Sequence, residues 1–209
     1  MREDVGMELN YWKATWPLDV SECPCDVHFV DYLKARGIKG RSVFHFGTGE
    51  HHILALENAK LRKPNQIFGV TASKQEYDSY IDLIVRAPKV ANTYKAMFVD
   101  IYTLEPQLLP AFDVVSLFHL GEFYDPVRQK YAPLDDRKLL ALMVKRLKPG
   151  GRVCFYRGSN GWTKSEPIVA AFLKAGTLTK PEEYKSLLIC RKPAAKPRVR
   201  SRAARRGGS

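Results

Sequence analysis

The chain is short of the features that would take it outside an ordinary single-domain protein. It has four cysteines in 209 residues, too few for a disulfide-stapled scaffold. No uninterrupted apolar run approaches the ~20 residues of a membrane-spanning helix. The best, LLALMV at 139–144, sits inside a charged helical pattern. The first residues, MREDVGMELNYWK, carry charge from the second position and lack an apolar segment, so no secretory signal is read there. A soluble, cytoplasmic protein with no membrane partner is expected. Its 45% hydrophobic content suffices for one buried core, and its length is small for two.

Acidic residues are also scarce, 22 against 34 Lys and Arg, for a net charge of +12. The excess is uneven. The tail at 193–209 holds Lys196, Arg198, Arg200, Arg202, Arg205 and Arg206 and no acid. It lacks the apolar residues needed to offset its ordering entropy, so it is expected to be disordered. Six cations there could neutralise phosphates of a nucleic acid. No aromatic residues are interleaved to stack on bases, so a solubilising tail is the simpler reading.

Cys154 and Cys190 fall in strand-like apolar segments, where a free thiol behaves as a small hydrophobe. Cys23 and Cys25 form an isolated C-x-C with no second ligand pair at zinc spacing, so reduced thiols and no metal are expected.

From residue 26 the pattern becomes regular. DVHFVDYLKARGI at 26–38 reads as an amphipathic helix on Val27, Val30, Tyr32 and Leu33, ended by Gly37. Apolar strands follow at 42–46, 66–70, 95–99, 112–118 and 152–156, with helical segments between most of them. HHILALENAKLR at 51–62 is one such helix. Ser73 and Glu76 form the S-x-x-E capping box of another, with Tyr77, Tyr80, Ile81 and Ile84 as its buried face. Asp135 or Asp136 opens a third, cored by Leu139, Leu140, Met143, Val144 and Leu147. Ser165 is read as the cap of EPIVAAFLKAG, and TLTKPEEYKSLLICRK as two last strands joined by a turn. Alternating strands and helices predict a parallel sheet covered on both faces, with an antiparallel element at one edge. Three regions follow: an N-terminal extension at 1–26, a folded domain at 27–192 and the tail at 193–209.

In such sheets ligands bind beyond the carboxyl ends of the strands. The Gly47-Thr48-Gly49 turn leaves the first strand and opens a helix, where glycines permit a tight turn and close backbone approach. Several segments in order extend this signal: SVFHFGTGE, FVDIYTL at 98–104, FDVVSLFHLGEF, and LLALMVKRLKPGGRVCFY with its LKPGG turn. Together they resemble the class I S-adenosylmethionine-dependent methyltransferases over about residues 27–192.

The resemblance implies a Rossmann-like three-layer α/β sandwich. Its sheet would be seven-stranded and mostly parallel, with an antiparallel C-terminal strand. It also implies S-adenosylmethionine as cofactor. Gly47 and Gly49, with Thr48 between them, would pass beneath methionine and ribose. Asp100 would accept from the adenine amino group, and the backbone of Ile101 would meet the ring edge. Phe118 and His119 would face the methionine portion and the methyl group.

The chain departs from the family pattern at three points. His45 stands where an acid is usual and His51 where a third glycine is usual. Thr71 ends the second strand in place of the ribose-binding acid, with Glu50 as a substitute from the turn. His45, His51, His52 and His119, near Glu50 and Glu122, also make a conceivable metal or base cluster, but the simpler reading packs them in the sheet, the turn and an exposed helix. The long loop 121–136 offers Glu122, Tyr124, Arg128 and Tyr131 toward a substrate, and Tyr11, Trp12 and Trp16 could form a lid. His119, Glu122 and Tyr124 are the candidate catalytic groups.

A methyltransferase acting on a small molecule is the leading expectation, since the Asn/Asp-Pro-Pro-aromatic string of base and glutamine methylation is missing. The alternative is an inactive binding or scaffolding protein of the same fold, associated with nucleic acid through its tail. A nicotinamide enzyme is disfavoured, because G-x-G-x-x-G would need glycine at His52.

Overall fold

A computed structural model describes residues 16–195. Six helices and seven strands alternate along them: α1 Cys25–Ala35, β1 Ser42–Phe46, α2 Ile53–Ala59, β2 Gln66–Thr71, α3 Lys74–Arg86, α4 Pro88–Ala91, β3 Tyr94–Phe98, β4 Phe112–Ser116, α5 Asp136–Arg146, β5 Leu147–Tyr156, α6 Trp162–Lys174, β6 Thr179–Tyr184 and β7 Leu187–Arg191. The strands form one sheet in the order β3-β2-β1-β4-β5-β7-β6. Neighbours from β3 to β5 are parallel. β7 runs antiparallel to both β5 and β6. The expected mostly parallel sheet with a reversed C-terminal strand is the one observed.

Pleating sorts the side chains into two cores. Phe44, Phe46, Val115, Val153 and Phe155 face the layer containing Leu139, Leu140, Met143 and Val169. Val43, Val114, Cys154 and Ile189 face Phe29, Val30, Tyr32 and Leu33 of α1. The central strands are therefore apolar on both faces. His45 is the exception on β1. Its ring lies on the α1 side, stacked on Phe29 at 6.1 Å and edge-on to Phe118 at 6.0 Å.

Some local expectations shift. α1 begins one residue early and buries Phe29, while Val27 is only half-buried. Ile81 of α3 is exposed; Tyr80 carries the buried face with Tyr77, Leu83 and Ile84 packed beside it. Ser73 does cap α3, accepting from the Glu76 amide. Asp135 caps α5. Ser165 does not cap α6, which starts a turn earlier at Trp162. Its hydroxyl donates back to the Trp162 carbonyl, and Pro167 sits within the helix.

One close crossing fixes the loop that follows β4. A Cβ on Gly121 (φ +89°) would lie 2.6 Å from the Gly161 carbonyl oxygen, and one on Gly161 would lie 2.6 Å from backbone atoms of residues 120–122. Only glycines let these segments touch, and that contact pins the start of the loop against the start of α6.

Candidate functional site

Strand order reverses between β1 and β4, where His45 lies beside Ser116. Directly beyond that point is a cavity of about 240 Å³. One water needs only roughly 10–15 Å³ of such space, so the cavity is ligand-sized. Its walls run from Asp100, Ile101 and Tyr102, past Thr71 and Glu76, to Gly47, Gly49 and His119, and on to Cys23, Cys25 and Glu122. Trp16, Phe46 and Phe123 contribute aromatic wall. The Trp16 and Phe123 rings meet edge-on at 6.5 Å.

The glycine turn works as its sequence predicts. Gly47 and Gly49 have φ of +80° and +57°. A Cβ on Gly49 would sit 2.3 Å from His51 Nε2. His51 thus occupies the side of the turn where a further glycine was expected. His52 takes a left-handed φ of 43° at the start of α2. It is buried rather than exposed on a helix, and its Nδ1 is 3.0 Å from the Tyr94 hydroxyl. Burial holds its pKa down to about 4.

At the far end, Asp100 is tightly held. Its Oδ1 accepts from the Tyr102 amide at 3.0 Å, and its Oδ2 accepts from the Tyr131 hydroxyl. The buried Arg128 lies 3.1 Å from Oδ2 and 2.8 Å from Asp125. Arg128 and Tyr131, read from sequence as substrate contacts, instead tie the loop to Asp100. A carboxylate has about four acceptor sites, so Asp100 keeps room for one more donor.

In the middle of the cavity the acid missing from the end of β2 is supplied from elsewhere. Glu76 sits at the third position of α3, and helical side chains lean toward the helix N-terminus. Its carboxylate therefore reaches back to the strand ends. Oε2 accepts from the Thr71 hydroxyl at 2.6 Å and from the Thr48 hydroxyl at 3.2 Å. Burial raises its pKa, against the pull of these two hydrogen bonds. Sequence reasoning gave Glu76 only a capping role; its position in a capping box directly after a strand end was the available signal.

Asp26 makes the same kind of substitution for the acid missing at position 45. Projecting from the first turn of α1, its oxygens lie 3.4 Å from His45 Nε2 and 3.5 Å from His51 Nε2. Burial pushes the Asp26 carboxyl up to about 7 and the His45 imidazole down to about 3. His45 is thus neutral at physiological pH, and its contact with Asp26 is not an ion pair. Its Nδ1 is 2.8 Å from the Ser116 hydroxyl.

At the near end, His119 Nδ1 lies 3.2 Å from Glu122 Oε2. Burial alone would lower the His119 pKa, but the Glu122 hydrogen bond and charge outweigh it and raise the value. For Glu122 burial acts upward, and the His119 bond and charge bring the pKa below the usual value. The Cys23 and Cys25 sulfurs are 3.2 Å apart. The Cys25 thiol, kept protonated, donates to Cys23 and brings its pKa down to about 6.

The structure thus brings Gly47, Gly49, Thr71, Asp100, Ile101, His119 and Glu122 to one cavity. Other sequence candidates stand back from it. Phe118 is core, edge-on to Phe29 at 5.3 Å, because it points to the α1 side. His45 lies beneath the cavity floor, and Thr48 acts through Glu76. The Glu50 side chain is exposed and its carbonyl accepts from Ser79. Tyr124 packs on Tyr102 at 5.3 Å. The four histidines do not gather as one metal set: among the described residues, the group spaced to hold a metal is Cys23, Cys25 and His119. Tyr11, Trp12 and 196–209 of the tail lie outside the described residues, whereas Trp16 lines the cavity. No described helix is long and apolar enough to cross a membrane.

No family model and no curated protein matches the chain. Solved structures do. The [4+2]-cyclase SpnF is similar with a TM-score of 0.59 at 17% identity, over 88% of this chain and 86% of that one. The N-methyltransferase NodS of Bradyrhizobium japonicum WM9, solved with S-adenosyl-L-homocysteine, gives 0.55 at 14% identity over 80% and 86%. An O-methyltransferase family protein of Burkholderia thailandensis gives 0.55 at 16% identity over 81% of this chain, which spans 56% of that protein. At such identities the likeness speaks to architecture alone: this chain has the fold of the class I methyltransferases.

Proposed function

We propose that the protein is an S-adenosylmethionine-dependent methyltransferase with a small-molecule acceptor. The observation that carries this reading is the sign of the cavity. In a chain of net charge +12, its lining holds Asp19, Glu22, Asp26, Glu76, Asp100 and Glu122 against Arg128 and His119, which pair with Asp100 and Glu122. Such a wall suits a ligand carrying a sulfonium and an ammonium charge. The residues fit the cofactor in order. Asp100 and Ile101 would meet adenine, Glu76 with Thr71 the ribose hydroxyls, and the Gly47–Gly49 turn the methionine portion. The bound cofactor supplies an electrophilic methyl group.

The protein's part is then alignment, which contributes much of the rate in transfers of this kind. His119, held by Glu122 through Nδ1 at the near end, would orient the acceptor. Trp16 and Phe123 would keep water from that end. SpnF is described as a [4+2]-cyclase on the same fold, so binding and transfer need separate tests. Calorimetric titration with S-adenosylhomocysteine should give micromolar binding at one site, and no heat at millimolar ligand would sink the proposal. With binding established, transfer of labelled methyl to a panel of small thiols, amines and phenols tests the reaction. Binding without transfer to any member favours a non-methylating role.

A further inference from the structure

We propose that Cys23, Cys25 and His119 form a site for a thiophilic divalent metal, zinc by preference, whose fourth position opens into the cavity. One ligand atom from each residue lies within 4.8 Å of the other two. A tetrahedral zinc with sulfur at about 2.3 Å and nitrogen at about 2.0–2.1 Å needs ligand separations only slightly different from these. The sulfurs, now 3.2 Å apart, would open by about half an ångström, and the imidazole would close by about an ångström.

The surroundings are those of a ligand set. His119 Nδ1 is engaged by Glu122, which leaves Nε2 to coordinate. Glu122 also accepts from the Ser159 hydroxyl. A carboxylate behind a coordinating imidazole fixes its tautomer and raises its basicity. The two thiols are equally well placed by the backbone. Cys23 closes a turn in which its amide donates to the Asp19 carbonyl at 2.8 Å, while Asp19 Oδ1 takes the Ser21 amide at 2.9 Å. Pro24 restricts the link, and Cys25 is the first residue of α1. Cys154 and Cys190 make the contrast: both are fully buried among apolar side chains in the two cores and neither lines the cavity.

Two thiolates and one imidazole are soft donors that favour zinc over magnesium or calcium, and three protein ligands with an open position are the pattern of a working rather than a structural zinc. That position faces the space where the acceptor would lie, and it selects a thiol. This last step rests on the methyltransferase reading. Coordination releases the acceptor's S–H proton to solvent. The metal-held sulfur then forms the new S–CH3 bond as the methyl–sulfonium bond breaks, and that bond's electron pair stays on the cofactor sulfur, giving a thioether and S-adenosylhomocysteine.

The test is cobalt titration of the full-length, chelator-treated, reduced protein, followed by absorption. One equivalent of Co²⁺ should produce thiolate-to-metal bands and the intense visible bands of a tetrahedral site, and zinc should displace them. Adding 2-mercaptoethanol should perturb those bands as a further thiolate enters. Cys23→Ser and Cys25→Ser should each weaken binding by at least 100-fold. Glu122→Gln should weaken it about 10–100-fold without changing the band pattern. Circular dichroism checks that each variant is folded. The inference is overturned if wild type shows no thiolate-to-metal bands, if folded cysteine variants bind as wild type does, or if mass analysis finds Cys23 and Cys25 joined as a disulfide after reduction. Absence of any response to the added thiol overturns the open position. S-adenosylhomocysteine binding without cobalt binding defeats this inference alone, and the reverse defeats the methyltransferase reading and the thiol step that rests on it while the metal site stands.

Discussion

The two ends of the cavity are built on opposite principles. At the Asp100 end the groups hold one another: Arg128, Tyr131 and the Tyr102 amide converge on one carboxylate. At the Cys23 end two thiols and an imidazole paired with Glu122 gather within 4.8 Å of one another at the cavity wall. The first end resembles scaffold and the second resembles chemistry. The difference predicts that substitutions at the Asp100 end register as stability, whereas those at the Cys23 end register as binding.

The largest effect should come from Arg128→Met. Arg128 is 1% exposed and its loss leaves Asp100 buried without its cation. Breaking a buried pair from one side costs about 3–5 kcal/mol. Urea unfolding should show a loss of that size, and Asp100→Asn in the same chain should recover most of it. A loss below about 1 kcal/mol would mean the pair behaves as a surface ion pair and the scaffold reading is wrong.

Next in size is the acid limb of stability, read through His52 beneath the turn that joins the two ends. Its folded pKa, about 4, lies below the ordinary value of 6.5. A depressed histidine leaves stability intact above pH 6.5 and removes it as pH falls toward 4, because the unfolded chain binds the proton first. At 1.36 kcal/mol per unit the full loss is about 3 kcal/mol at most. His52→Asn keeps a residue tolerant of φ +43° and removes the titration. Unfolding at pH 7.5 and 4.0 should therefore show a smaller pH loss in the variant, the remainder belonging to the other shifted groups, His45 and His51 among them. Identical losses would remove His52 from the account.

Glu76→Gln should act at the middle of the cavity. The amide keeps both threonine partners within reach but removes the charge that would meet ribose hydroxyls. A charge-assisted hydrogen bond contributes about 1.5–3 kcal/mol, so S-adenosylhomocysteine should bind about tenfold more weakly or worse. Unchanged affinity would show that Glu76 serves only the fold.

The sheet was legible in sequence because its signals are local: apolar strands, a glycine turn, an aspartate or serine at each of two helix starts. The final strand pair, with no helix between its members, implied the reversed edge. Of the sequence candidates, those at or just after a strand end, Gly47, Gly49, Thr71, Asp100 and His119, line the cavity, and so does Glu122 of the loop after β4. Glu76 and Asp26 escaped because each replaces an acid from a different element, and one-dimensional alignment sees only the vacancy at Thr71 and His45. The thiol pair escaped for the same reason. Cys23 and Cys25 are 94 or more positions from His119 in the chain, and no spacing rule joins them. Phe118 erred in the other direction: its position after β4 was right, but the pleat turns it to the α1 side.

The smallest effect is the sharpest test of the comparison. Cys23→Ser changes one half-buried atom at the cavity wall, a site where the added polarity of a hydroxyl can be met by ligand or water. In chelator-treated protein its effect on unfolding free energy should stay within about 1 kcal/mol, because serine keeps a hydrogen-bonding group beside Cys25 and the side chain packs only at the edge of the core. The same substitution should nevertheless abolish tight cobalt binding. A residue whose replacement leaves stability untouched yet removes a binding function belongs to the chemistry of the site. If Cys23→Ser instead cost as much as Arg128→Met, both ends of the cavity would be scaffold, and the placement of two thiols beside an ion-paired histidine would be an accident of packing.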